Sequence, residues 1–320
     1  LGLLIFGYLA WVISQTEMLP INQSTLLILI VISLICFAIF VKANFSSIRS
    51  FLSNRWKLIV VTELVFLIFF IGWTIYRAFD PAINHTEQPM DLAFLNASIE
   101  TSVGAPKDPW FSNESVSYYY FGYWMMGVLS ELTSIPSNVS YNLSLSIVAA
   151  MAAQCCFGLV FSIVSSASNS LRATYTASFF AIVLLGISSN LEGVLEFMRA
   201  NVIGSQNFWN WIGISGLTEP LTSVSESWAP TEFWWWFRAS RVINTFQGGE
   251  GLDYTIQEFP FFSFMLGDLH AHALAIPFAL VLITFCWSIL KSETLKWKLT
   301  NCRTGVFIVV LSIVLGGLAF

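Results

Sequence analysis

Charge is what this sequence has least of. Asp, Glu, Lys and Arg make up 10% of its 320 residues, against about a quarter in soluble globular domains. With 56% hydrophobic residues and a mean hydropathy of +0.72, the composition excludes a soluble enzyme and points to a membrane protein. Histidine occurs three times. Cys36, Cys155, Cys156, Cys286 and Cys302 show no metal-ligand spacing, and two of them are adjacent. A zinc site and a disulfide framework are therefore not expected, and the cysteines read as small buried hydrophobes. There is no internal repeat, low-complexity tract or secretory signal, since Leu1–Ser14 lacks a charged n-region and a small-residue cleavage site. The sequence starts and stops inside apolar runs, as a fragment of a longer chain would. No nucleic-acid partner is expected.

What the sequence does have is apolar runs. A spanning helix needs about 20 residues, and suitable runs lie at 25–41, 58–78, 143–166, 173–190 and 271–290, with shorter or truncated ones at 1–14 and 304–320. The expected fold is an all-α polytopic membrane protein, one transmembrane domain over 1–320 with about seven spans. The loop 42–57 holds Lys42, Arg49, Arg55 and Lys57 without an acid. The loop 291–303 holds Lys291, Lys296, Lys298 and Arg303 with Glu293 alone. Both are expected to be cytoplasmic. Two large segments, 80–138 and 191–270, then fall outside, and short interfacial helices within them are expected. Tyr118–Leu132 suits a helix lying in the interface or dipping part-way in. Sixteen of the 19 acids lie in or beside these two segments.

The first segment packs Glu87, Asp91, Glu100, Asp108 and Glu114 into one polar, turn-rich stretch. Glu87 and Asp91 are four apart and share a face on a helix, where Pro89 suits the first turn. Such a pair can provide a general base with a helper, hold a divalent metal, or simply complement the helix dipole. Asp108, in Lys-Asp-Pro-Trp, reads as a turn anchor. Tyr118, Tyr119 and Tyr120 read as an aromatic belt or as a wall for a sugar or isoprenoid chain.

In the second segment Arg238 and Arg241 are three apart, directly after Trp234, Trp235 and Trp236. Two guanidiniums beside aromatics suit a phosphate or pyrophosphate; ion pairing with nearby acids is the alternative. Glu258 precedes the run Gly267-Asp268-Leu269-His270-Ala271-His272. Asp268, His270 and His272 would share one side of an extended segment, which fits a metal or a proton relay.

EQPMDLAFLNAS, DPWFS, YYYFGY, WWWFRASRVI and EFPFFSFMLGDLHAH together resemble the bacterial and archaeal YYY membrane protein family. The motifs cover roughly 84–124 and 232–280. The plan of that family resembles the C-type integral-membrane glycosyltransferases, which use polyprenyl-phosphate sugars and place a catalytic acid in the first large external loop. The resemblance implies a sugar transfer on the external face of a cytoplasmic membrane, with Asp91 or Glu87 as base. Arg238 and Arg241 would meet the lipid phosphate, and Asp108, Tyr118, Tyr119, Tyr120, Trp235 and Glu258 would bind substrate. Asp268, His270 and His272 would hold a divalent Mg or Mn ion. The adjacent acidic pair many such enzymes carry is missing here, since Leu92 follows Asp91. The partners would be the bilayer, a polyprenyl-phosphate sugar and an acceptor. A lipid or solute transporter or flippase is the alternative, though it calls for polar residues deep in several spans, where Glu63 stands almost alone. A non-catalytic assembly subunit is the third reading.

Overall fold

The computed structural model describes residues 1–291, other than 112, 189, 225–226, 233–234 and 248–249. The apolar run 304–320, the basic loop after Lys291 and Trp234 therefore lie outside the described residues. The helices are α1 (Gly2–Gln15), α2 (Gln23–Ala43), α3 (Phe45–Phe79), α4 (Gln88–Glu100), α5 (Phe121–Thr133), α6 (Ser137–Ala167), α7 (Leu171–Val183), α8 (Glu192–Ala200), α9 (Gln206–Ile212), α10 (Trp235–Arg238), α11 (Pro260–Leu266) and α12 (Ala271–Lys291). A π-helical turn, Leu184–Ser188, prolongs α7. The strands β1 (Ile243–Gln247) and β2 (Glu250–Thr255) form an antiparallel ribbon with a register shift after Thr245, a small departure from an all-helical chain.

Among the described residues, five helices are long and apolar enough to cross a membrane: α2, α3, α6, α7 with its π-helical extension, and α12. They coincide with the five full-length runs in the sequence. The run at 1–14 forms a helix of 14 residues, about 21 Å long and short of the roughly 30 Å hydrocarbon core.

The loop expected at 42–57 is instead helical. Only Asn44 separates α2 from α3, and α3 runs unbroken for 35 residues. The segment has neither Gly nor Pro to stop it, and its Lys and Arg residues are good helix formers.

The chain divides into two compact units, one of residues 1–182 and 267–320, the other of residues 183–266. In the first, α6 packs along α3 and α12. Its inward face carries Ser144, Ser146, Ala149, Ala150, Ala152 and Ala153, all buried, and small residues of this kind let helices in a membrane approach closely.

Helix α5 is the surprise of this unit. It is enclosed by α1, α2, α4, α6 and α12, with Tyr123, Trp124, Met125, Met126 and Val128 buried. Its 13 residues reach about 20 Å, too short to span. Gly127 sets the distance to α4: a Cβ there would stand 3.1 Å from Ser98 Cβ and 3.3 Å from the Ile99 nitrogen. That close approach brings the first turn of α4 against Tyr123 of α5.

Within the second unit α8 and α9 surround a cluster of Trp209, Ile214 and Leu217. Trp236 and Phe237 of α10 lean on Phe262 of α11 with ring centroids 5.5 and 6.0 Å away.

Candidate functional site

The polar centre of the first unit is built on the start of α4. Pro89 sits in its first turn, where a missing N–H is harmless. Asp91 follows and is buried, with no solvent exposure. The Tyr123 hydroxyl of α5 donates a 2.6 Å hydrogen bond to Asp91 Oδ1. Asp91 Oδ2 has no hydrogen-bond partner among the described residues.

Burial pushes the Asp91 carboxyl up from its ordinary 3.8 to about 7. The Tyr123 bond and His272 pull it down, while Asp268 and Glu87 push it up. A carboxyl balanced in this way takes and releases a proton near neutrality. Burial raises the Tyr123 phenol as well, helped by the Asp91 charge, so Tyr123 remains a donor.

The segment before α12 closes the centre from another side. Tyr141 of α6 clamps it, donating to the Gly267 carbonyl at 3.0 Å and accepting from the Leu269 N–H at 3.1 Å. Gly267 has φ +82°, and a Cβ there would stand 2.8 Å from the Arg77 guanidinium carbon and 3.0 Å from Gln88 Nε2. Arg77 is itself buried, donating to Asn142 Oδ1 at 2.9 Å and the Ala82 carbonyl at 3.4 Å.

Asp268 is buried and accepts a 3.0 Å bond from Thr86 Oγ1. Thr86 holds φ +44°, a strained value for a β-branched residue. Strain of this sort gathers at functional sites. His270 Nε2 lies 3.0 Å from the Tyr118 hydroxyl and 3.2 Å from Glu87 Oε2. A proton on Nε2 satisfies both, since a carboxylate only accepts. His270 Nδ1 has no hydrogen-bond partner among the described residues, and its ring stands 4.9 Å from that of His272.

Of the residues singled out in the sequence, Asp91, Glu87, Tyr118, Asp268, His270 and His272 come together here. The three tyrosines part ways. Tyr118 stacks on Phe94 with centroids 5.1 Å apart. Tyr119 is exposed, and Tyr120 accepts a 2.9 Å bond from Trp11 Nε1 beside α1. Asp108 is a turn anchor, accepting from the Trp110 and Phe111 nitrogens at 2.8 and 2.9 Å. It also lines an open cleft of about 560 Å³ with Asn96, Glu100 and Lys107. Tyr123, Thr86, Tyr141 and Arg77 were not singled out. Arg77, a lone cation closing an apolar run, was the visible signal among them.

Trp235, Arg238, Arg241 and Glu258 belong to the second unit. Arg238 pairs with Glu196 at 2.9 Å and with Glu232, so for this residue the ion-pair alternative describes its contacts. Burial and the nearby Glu196 carboxyl push Glu192 up, and burial pushes Glu196 up too. Arg241 lies over the Phe237 ring with its guanidinium carbon 3.7 Å from the centroid. Both arginines line a cleft of about 600 Å³ with Ser215, Gly216, Glu232, Phe237 and Ile256. Trp235 begins α10 and packs near Gly193 of α8. Glu192 and Glu196 stand four apart, the spacing that drew attention to Glu87 and Asp91.

Apolar helices long enough to span a membrane, packed around a buried carboxyl centre, define a helical multi-pass membrane protein. Residues 5–320 match the family described as Uncharacterized membrane protein (DUF2298), and the chain belongs to that family. No curated protein and no solved structure matches it.

Proposed function

We propose that the protein is a glycosyltransferase-like membrane enzyme that moves a sugar from a polyprenyl-phosphate donor to an acceptor hydroxyl on the extracytoplasmic side. The observation that carries this reading is Asp91. It is buried, keeps one oxygen unclaimed among the described residues and has a pKa near 7, the properties of a general base working at neutral pH.

Asp91 Oδ2 takes the acceptor's proton. The acceptor oxygen bonds to the anomeric carbon as the bond from that carbon to the phosphate oxygen breaks, and polyprenyl phosphate leaves. Tyr123 holds Asp91 in place and favours its ionised form. Tyr118, backed by the buried Phe94, offers a flat aromatic wall for a sugar face.

Asp268 would be the oxygen donor to a divalent Mg or Mn ion, the donor type such ions prefer, with His270 and His272 proposed beside it. Such an ion, when bound, supplies positive charge for the departing phosphate. Arg238 and Arg241 are proposed to bind a lipid phosphate within their own unit, supported by two guanidiniums lining one cleft there. Arg241 is the stronger candidate, because Arg238 already answers two carboxylates.

The test is turnover. Purified protein in liposomes is given a polyprenyl-phosphate-linked hexose with candidate acceptors, and release of polyprenyl phosphate is followed. The reading expects release by the wild type and a loss of at least about 100-fold in Asp91→Asn. Release at equal rates, or none by the wild type, would contradict it.

A further inference from the structure

The first turns of α3 have no part in that reading. Between Glu17 and Glu63 the chain contains no acid, yet Lys42, Arg49, Arg55 and Lys57 lie close together there. Helix α3 has 35 residues, about 52 Å of helix against about 30 Å of hydrocarbon. A tilt of about 40°, the upper end of the usual range, would absorb only about 26 residues. The remainder protrudes, and charge decides which end. Residues 58–76 hold Glu63 as their single charge, whereas 45–57 hold Arg49, Arg55 and Lys57.

Phe45, Ile48, Arg49, Leu52, Ser53 and Trp56 recur every three or four residues and so share one face of α3. With Val41 of α2 they line an open groove of about 590 Å³. Phe45, Phe51, Leu52 and Trp56 are each at least half exposed. The Lys57 amine lies 5.7 Å from the Trp56 ring centre. An aromatic with a cation beside it is the usual anchor at headgroup depth.

We infer that this groove binds an anionic phospholipid. An acyl chain lies along Val41, Phe45, Ile48, Leu52 and Trp56, and Arg49 meets the headgroup phosphate, with Arg55 and Lys57 adding to the local field. Each basic residue held near an anionic lipid surface is worth about fivefold in binding. Charge also argues against protein occupants. The segment 291–303 brings four cations and one acid, and the same face of a second copy would bring its own positive charge.

The test places the protein in phosphatidylcholine bilayers containing about 20 mol% of a brominated lipid, either phosphatidylglycerol or phosphatidylcholine, since bromines quench tryptophan on contact. The Trp56 signal is the difference between wild type and Trp56→Phe. Brominated phosphatidylglycerol is expected to quench Trp56 at least about twofold more than brominated phosphatidylcholine. The preference is expected to weaken in high salt, and in Arg49→Gln/Arg55→Gln, whose altered side chains are exposed. Equal quenching in the wild type would show an unselective lipid boundary and overturn the inference. Quenching by neither lipid would place protein in the groove, from this chain or a second copy, and would overturn it too.

Discussion

The Tyr123 hydroxyl and the Asp91 carboxylate form a 2.6 Å hydrogen bond with both side chains wholly buried. This bond works against burial, favouring the ionised carboxylate that burial disfavours. Tyr123→Phe therefore raises the Asp91 pKa further above its ordinary value. The limb of the pH–rate profile that reports the base moves to higher pH. At pH 8 the variant also loses about 1–3 kcal/mol of stability, because Asp91 Oδ1 is left without a donor. At pH 5, where Asp91 is protonated, the loss shrinks. Thermal unfolding at the two pH values checks this.

Asp91 and Glu87 are distinguishable as bases. Glu87 is half exposed and lies 3.2 Å from His270, so Glu87→Gln removes a helper whose hydrogen bond is worth about 1 kcal/mol. Turnover should fall by no more than about tenfold in Glu87→Gln and by at least about 100-fold in Asp91→Asn. The reverse order would make Glu87 the base.

At Gly267 a side chain has no room. Its φ of +82° disfavours any L residue, and the Arg77 guanidinium that an added Cβ would meet is fixed by Asn142 and the Ala82 carbonyl. Gly267→Ala should cost about 2–5 kcal/mol and displace Asp268 from Thr86. Denaturant unfolding measures the cost.

Arg238 balances a buried Glu196 in the second unit. Arg238→Gln leaves that carboxylate without its cation, at a cost of about 3–5 kcal/mol at neutral pH. Below the raised pKa of Glu196 the carboxyl is neutral and the cost disappears. Glu196→Gln should restore most of the loss. Hydrogen exchange over 192–241 reads both effects.

The spans could be read from the sequence because hydropathy over about 20 residues is a strong signal. The extension of α3 could not: four cations after an apolar run look like a loop, and only the absence of Gly and Pro between Lys42 and Lys57 hinted otherwise. At the site, Asp91 and His270 stood out because acids and histidines are rare in this chain. Tyr123 did not, since a tyrosine in an aromatic stretch reads as an interface residue until α5 is seen to be enclosed. That enclosure depends on close contacts such as Gly127 against Ser98, which no local pattern announces. The pairing of Asp268 with Thr86 joins residues 182 positions apart and lay equally out of reach.

Infrared titration of the protein in bilayers asks whether Asp91 exchanges its proton near neutrality. Folding raises this carboxyl from 3.8 to about 7, so the folded protein keeps a proton that the unfolded chain releases. That favours the fold below pH 4 and is lost as pH rises through 7, an effect of up to about 4 kcal/mol. A protonated-carboxyl band is expected that disappears with a midpoint near pH 7 and is missing from Asp91→Asn. Asp91→Asn is also expected to be more stable than the wild type at pH 8. A midpoint near 4, or a neutral-pH band unchanged in Asp91→Asn, would contradict the assignment of Asp91 as the base.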